Sequence, residues 1–367
     1  MARHNRSMRT LYVAAGGGGD AVGALLARRA LGDTDKRPPL VTTCAWERLR
    51  IDPVPGPRAR TDFTGLGLVG GEPCEVLPTS DTIPPGRSVL PRLAETSGAR
   101  IFLHDFEGGA EGLAEQFQRL AASLEVVELV VVDVGGDIVA RGPEPDLRSP
   151  LADSLTLAAA LGAGISTRVV VLGPGADAEL PEAEVLALLE ETGAMPVGPI
   201  AADDVRSLQV VLSWHPTEAS ALVAAGAEGL RACVAMRRGV APVPISDHTP
   251  ELWAINGPVI DAFPLAKRLQ YTRTLSEAEA VMRGLALNEI DLERTIAEDP
   301  RRNRPLRGLP QLISDMRAVG ATHITRRRLE ETVDARGLAL VAGVSSPGMG
   351  ALWPIEALEH LAGLTGR

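Results

Sequence analysis

Short runs made almost wholly of apolar residues recur along the chain, and most are followed by a stretch of helical period. Residues 11–15, 40–44, 101–103, 126–132 and 169–172 are the clearest runs, and the fourth reads Val-Val-Glu-Leu-Val-Val-Val. A strand that is apolar at successive positions is buried on both faces, as in a parallel sheet covered by helices on each side. The helical stretches lie between these runs. Residues 21–31 place Val22, Leu25 and Leu26 on one face with Gly32 just past the end. A second covers 113–120, a third runs from Ser149-Pro150 to a stop at Gly162, and a fourth covers 181–192, closed by Gly193. Strands and helices alternating in this way predict an α/β chain with a doubly wound, mostly parallel, Rossmann-like sheet.

The regularity fades towards the end. Residues 210–212 are another apolar run and read as a strand, 218–235 as an Ala-rich helix, 251–255 as a strand and 276–298 as one long helix. Residues 50–90, rich in Pro and Gly, read as an irregular excursion holding short strands. The stretch 299–308 reads as a linker, and the basic run Arg326–Arg328 as solvated surface. The expected division is a Rossmann-like domain over 1–300 and an irregular appendage over 301–367 packed on it.

Composition excludes several classes. With 37 basic and 47 acidic residues the formal charge is −10, against a nucleic-acid partner, which requires clustered positive charge. Four Trp, two Tyr and five Phe are too few for a base-stacking platform. Cys44, Cys74 and Cys233 stand far apart, so neither a disulfide framework nor a structural zinc site is expected. No run reaches the ~18 apolar residues of a membrane span, and the basic start (Arg3, Arg6, Arg9) lacks the apolar region of a signal peptide. The expectation is a cytoplasmic protein with a small-molecule substrate and no membrane partner.

Three apolar runs end in related turns: Gly16-Gly17-Gly18-Gly19-Asp20, Asp133-Val134-Gly135-Gly136-Asp137 and Gly173-Pro174-Gly175-Ala176-Asp177. In an open parallel sheet such turns fall at the carboxyl edge, where ligands bind. Glycine admits positive φ and lets backbone N–H groups approach a ligand, so the four-glycine turn before a helix forms a nest of donors for a carboxylate or phosphate. The same turns also serve merely to pack strand against helix. If their strands are neighbours, Asp20, Asp133, Asp137 and Asp177 share one crevice with Gly16–Gly19, Gly135 and Gly136. Asp20 beside an anion nest repels a bare phosphate. The arrangement therefore suits a zwitterion, with its carboxylate on the amides and its ammonium on Asp, or a phosphate bridged by Mg²⁺ on Asp20, Asp133 or Asp137.

Other residues have weaker claims. Arg141 and Glu144 lie in the loop after the second turn, where loop residues above a strand edge are placed for binding. His215, in Ser213-Trp214-His215, is placed either to act as a general base or to cap the next helix, and Ser213 is not read as its nucleophile. His104-Asp105 follows the 101–103 run and falls at the same edge, as does the loop 345–350 after 341–344. No dinucleotide fingerprint, P-loop, nucleophile elbow or zinc motif is present, so neither NAD nor zinc is expected. The cofactor stays unassigned, with Mg²⁺ one that the residues leave open.

The strand running into Gly16–Asp20, and Asp133–Asp137 followed by Gly142-Pro143-Glu144 and Ser149-Pro150-Leu151-Ala152-Asp153, resemble an uncharacterised domain family of archaea and actinobacteria over roughly residues 10–300. That family's function is unknown, so the resemblance carries no activity. The segment from Asp133 to Glu144 is also similar, over a dozen residues, to D-glutamate cyclase-like domains, which implies chemistry on a small amino acid.

The function expected is an enzyme acting on a small polar, amino-acid-like metabolite. Its chemistry would be carbon–nitrogen bond formation or cleavage, cyclisation or group transfer, with Asp20, Asp137, His215 and Glu144 as catalytic groups. Ligand-binding groups would be Gly16–Gly19, Gly135, Gly136, Asp133, Asp177, Arg141 and His104. The alternatives are a Mg²⁺-dependent transferase using a nucleotide or sugar phosphate, and a ligand-binding protein without catalysis.

Overall fold

The computed structural model describes residues 9–236, 241–299, 306–342 and 352–363. Nine strands form the main sheet. In chain order they are β1 (Arg9–Ala14), β2 (Leu40–Thr43), β3 (Gly67–Val69), β4 (Glu72–Val76), β5 (Arg100–Leu103), β6 (Val126–Val134), β7 (Ser166–Leu172), β8 (Met195–Pro199) and β9 (Glu251–Asn256). Across the sheet the order is β8-β9-β7-β6-β1-β2-β5-β4-β3. The middle five, β7-β6-β1-β2-β5, are parallel, and the two strands at each side pair antiparallel. The fold is thus α/β with a large, mostly parallel central sheet flanked by helices, as the apolar runs predict.

The reason lies in the pleat. Along β1, Leu11 and Val13 join one apolar cluster while Tyr12 and Ala14 join the other. Leu129 and Val131 of β6, and Val169 and Val171 of β7, fall in the first cluster, with Val130, Val132 and Val170 in the second. Each strand therefore has two buried faces and no polar alternation. Helices Gly109–Leu124, Leu151–Gly162 and Glu182–Glu191 cover one face; Gly18–Ala30 and Ala219–Ala227 cover the other.

The topology positions the site. The chain enters at β1, moves outward to β2 and β5, then returns to β6 on the opposite side of β1. Adjacent carboxyl ends whose connections leave in opposite directions define a switch point, which here lies between β1 and β6. The registers Val13↔Val131 and Asp133↔Val171 align the ends of β1, β6 and β7.

Several elements depart from expectation. Residues 210–212 lie in the short helix Gln209–Leu212, so His215 does not end a strand. A short apolar run does not distinguish strand from buried helix by period. The helix expected over 218–235 ends at Ala227; Gly229, at φ +94°, turns the chain towards the strand Cys233–Ala235. The long helix expected over 276–298 is two, Leu275–Arg283 and Glu289–Glu298, parted around Gly284 and Ala286, the latter at φ +62°. The excursion holds β3, β4 and the pair Phe63–Thr64 and Asp81–Thr82. A second sheet, ordered Val243–Pro244, Cys233–Ala235, His323–Thr325, Leu352–Pro354, joins the chain's later residues to the main body. Most of the linker reading and the loop 345–350 lie outside the described residues.

Candidate functional site

The four-glycine turn leaves β1 and becomes the first turn of the helix Gly18–Ala30, with Gly17 at the N-cap and no side chain capping it. None of Gly16–Gly19 has positive φ. Their smallness serves close approach instead: a Cβ on Gly16 would stand 2.8 Å from Oδ2 of Asp20 and 3.3 Å from Oδ1 of Asp153, and one on Gly17 would stand 2.9 Å from the Trp46 carbonyl. The Gly16 N–H donates to Oδ2 of Asp20 at 2.8 Å. The amides of Gly17, Gly18 and Gly19 are the orphan donors that open any helix.

The second turn follows β6. Gly135 (φ +129°) and Gly136 (φ +110°) occupy conformations that favour glycine. A Cβ on Gly135 would fall 2.2 Å from Cγ of Asp177, and one on Gly136 would fall 2.3 Å from a Val185 methyl. The Gly135 N–H donates to the Leu172 carbonyl at 3.0 Å. These glycines draw the second turn against the third, and neither lines the cavity.

The turns enclose a cavity of about 160 Å³ whose lining carries, among the described residues, ten carboxyl groups and two arginines. Asp20, Asp133, Asp137, Asp177, His215 and Gly16–Gly19 are brought together there. One carboxylate oxygen each of Asp20, Asp133 and Asp153 lie within 4.8 Å of one another, and so do one each of Asp137, Asp177 and Glu179. Burial pushes the carboxyls of Asp133, Asp137 and Asp153 well above the usual carboxylate range, and the neighbouring acids push further: Asp137 on Asp133, Asp153 on Asp137, Asp20 on Asp153. The Asp133 and Asp137 carboxyls are within hydrogen-bonding reach of each other. Glu179 is held firmly: one oxygen accepts the Arg148 and Ser149 N–H groups at 2.8 and 2.9 Å, and the Ser149 hydroxyl donates to the other.

His215 adds a donor. Its Nδ1 accepts the Thr217 N–H at 3.2 Å, which places the ring proton on Nε2. Nε2 is buried without a partner, and burial pushes the imidazole down to about 3. Asp133 Oδ2 and Glu289 Oε2 are likewise buried and unpartnered.

A wider hollow of about 1260 Å³ adjoins the cavity and shares Arg48, Ile51, Ser149, Glu289, Glu293 and Arg327 as walls. Glu293 accepts the Trp46 indole N–H and the Gly56 N–H, both at 2.9 Å. Arg327 pairs with Glu218 at 3.5 Å and Glu331 at 3.0 Å, so the run 326–328 is not wholly solvated surface.

Other expected residues lie elsewhere. His104 is in the core, its Nδ1 3.1 Å from the Thr42 hydroxyl and its ring against Phe106 and Phe117. Glu144 accepts the Arg141 and Gly142 N–H groups at 2.7 Å, closing its own turn, and Arg141 pairs with Glu191. The Ser213 hydroxyl donates to the Val210 carbonyl.

Sequence reasoning missed Glu47, Asp153, Glu179, Glu289, Glu293 and Arg327. For Asp153 a signal existed: it is the acid on a helix otherwise apolar or small, and every residue from Leu151 to Ala160 is buried.

Fold and site together define an α/β protein with an acidic cleft at the switch point of its parallel sheet. Residues 11–297 match the family described as protein of unknown function DUF1152, and the chain belongs to it. No curated protein and no solved structure matches the chain. No helix among the described residues is long and apolar enough to cross a membrane.

Proposed function

We propose that this protein is an enzyme acting on a small polar metabolite that carries an anionic group and an amine, through acid–base chemistry at buried carboxyl groups. The supporting observation is one cavity in which an uncapped helix amino end faces carboxyls that burial and mutual repulsion favour in their protonated form. The anionic end rests on the amides of Gly17–Gly19, with Nε2–H of His215 as a further donor. His215 is thus a neutral hydrogen-bond donor rather than a base. The amine lies against Asp137 and Asp177. Asp137, whose carboxyl burial and the neighbouring Asp153 hold above the usual range, gives or accepts the proton. Carbon–nitrogen bond formation or cleavage, cyclisation and group transfer fall within this chemistry. A phosphate-ester transferase is the second reading, favoured by the convergence of the Asp20, Asp133 and Asp153 oxygens.

A thermal-shift screen against amino acids, nucleotides and sugar phosphates, with and without Mg²⁺, identifies the ligand class. With the ligand found, Asp137→Asn is expected to lower turnover about 100-fold or more while ligand still binds. Unchanged turnover in that variant overturns the acid–base assignment.

A further inference from the structure

Among the described residues, ten carboxyl groups line the cavity against two arginines, and Arg327 is already engaged by Glu218 and Glu331. Buried carboxylates persist in ionised form only when paired or bound to a cation.

Asp20, Asp133 and Asp153 come from three separate elements: the first turn of the helix Gly18–Ala30, the end of β6, and the first turn of the helix Leu151–Gly162. Their oxygens nevertheless converge to within 4.8 Å. Two further observations point to a ligand-binding role. Asp133, 1% exposed, lines the cavity, and its Oδ2 has no partner. His215 is 3% exposed, and its protonated Nε2, a donor, is also unpartnered; a Cβ on Gly18 would lie 3.7 Å from it. An acceptor and a donor without partners in the wall of one cavity suit a cation and an anion bound together. The neighbouring group differs: Glu179 accepts three donors, and Oδ1 of Asp177 accepts the Glu179 N–H at 3.2 Å.

We propose that Asp20, Asp133 and Asp153 hold a single hard divalent cation, of the Mg²⁺ or Mn²⁺ kind, which bridges to an anionic group of the substrate seated on the Gly17–Gly19 amides and His215 Nε2–H. Carboxylate oxygens are the ligands such ions take, with water or substrate oxygens completing the shell. A substrate ammonium in the same place brings one positive charge to three converging carboxyls, whereas a divalent ion brings two. This inference rests on the proposed reading of the cleft as a metabolite site and adds that the anion is held through metal.

The test uses the full-length protein stripped with chelator, then titrated with Mn²⁺ alone and with Mn²⁺ plus inorganic phosphate. Bound Mn²⁺ is read by electron paramagnetic resonance and the melting temperature in parallel. One Mn²⁺ per chain, a rise in melting temperature, and phosphate binding at least tenfold tighter with metal are expected. Asp153→Asn should weaken Mn²⁺ at least tenfold, while Asp177→Asn keeps one ion per chain. The metal-free melting temperature of Asp153→Asn, expected to match or exceed that of the parent because one of three crowded carboxyls is replaced by a neutral amide, separates lost binding from lost folding. No bound Mn²⁺ in the parent, or unchanged binding in Asp153→Asn, overturns the proposal. If phosphate or an amino acid binds equally well without metal, the metal site fails and the metabolite cleft stands. If neither ion nor any anion binds, both fail.

Discussion

Glu47 lies in the cavity wall and accepts the Ser88 hydroxyl at 3.2 Å and the Val89 N–H at 3.0 Å. These bonds favour its charged form, yet burial outweighs them and holds the carboxyl up to about 6, from an ordinary 4.5. A carboxyl raised on folding stabilises the native state fully below its unfolded value, and that contribution disappears as pH climbs through the folded one. The window is therefore pH 4.5 to 6, and the shift corresponds to about 2 kcal/mol. Glu47→Gln keeps an acceptor and removes the titration. Relative to the parent, its unfolding free energy should improve by about 2 kcal/mol between pH 4.5 and pH 7. Urea melts across that range check this, and a pH-independent difference would contradict it. His215 lends the cavity no counter-charge, since burial pushes its imidazole down to about 3.

At the scale of elements, glycines decide how closely helix meets sheet. In the helix Gly18–Ala30, a Cβ on Gly23 would fall 2.1 Å from a Val134 methyl. Alanine is the better helix former by about 1 kcal/mol, but overpacking of this severity costs more. Gly23→Ala should lower stability by about 1–3 kcal/mol in denaturant melts, and a stabilised variant would show that the helix shifts freely on β6. The same packing explains what the sequence disclosed. The five parallel strands are legible because both faces of each are buried, so apolar content survives without alternation. The three turns are legible because strand ends at a switch point need small residues. The run 210–212 misleads because it is too short to carry a period, and the 276–298 stretch because Gly284 breaks a pattern that continues on both sides. Glu179, Glu289, Glu293 and Arg327 reach the cleft from distant segments, and no local spacing announces a convergence made by tertiary structure.

At the scale of the molecule, the cleft depends on residues beyond the 11–297 match. Arg327, in the helix Arg326–Thr332, inserts between Glu218 and Glu331, and the Thr325 hydroxyl donates to Glu218 at 2.5 Å. The Glu218 side chain is only 4% exposed, so a lost partner leaves a poorly solvated charge. Arg327→Met retains much of the apolar stem and should cost about 1–3 kcal/mol, partial exposure of the arginine keeping it below the full penalty of a broken buried pair. Chemical denaturation reads the loss. A neutral result would mean that water reaches Glu218 and that the later segment is dispensable to the cleft.

The two adjoining hollows differ about eightfold in size, 160 against 1260 Å³, with a common wall. A molecule docking through the larger would present only its tip to the acidic chamber, leaving the remainder in a space too roomy to grip it. Selectivity would then reside in the tip's charge and reach, and compounds sharing that tip but differing in their trailing portion would compete for the same berth.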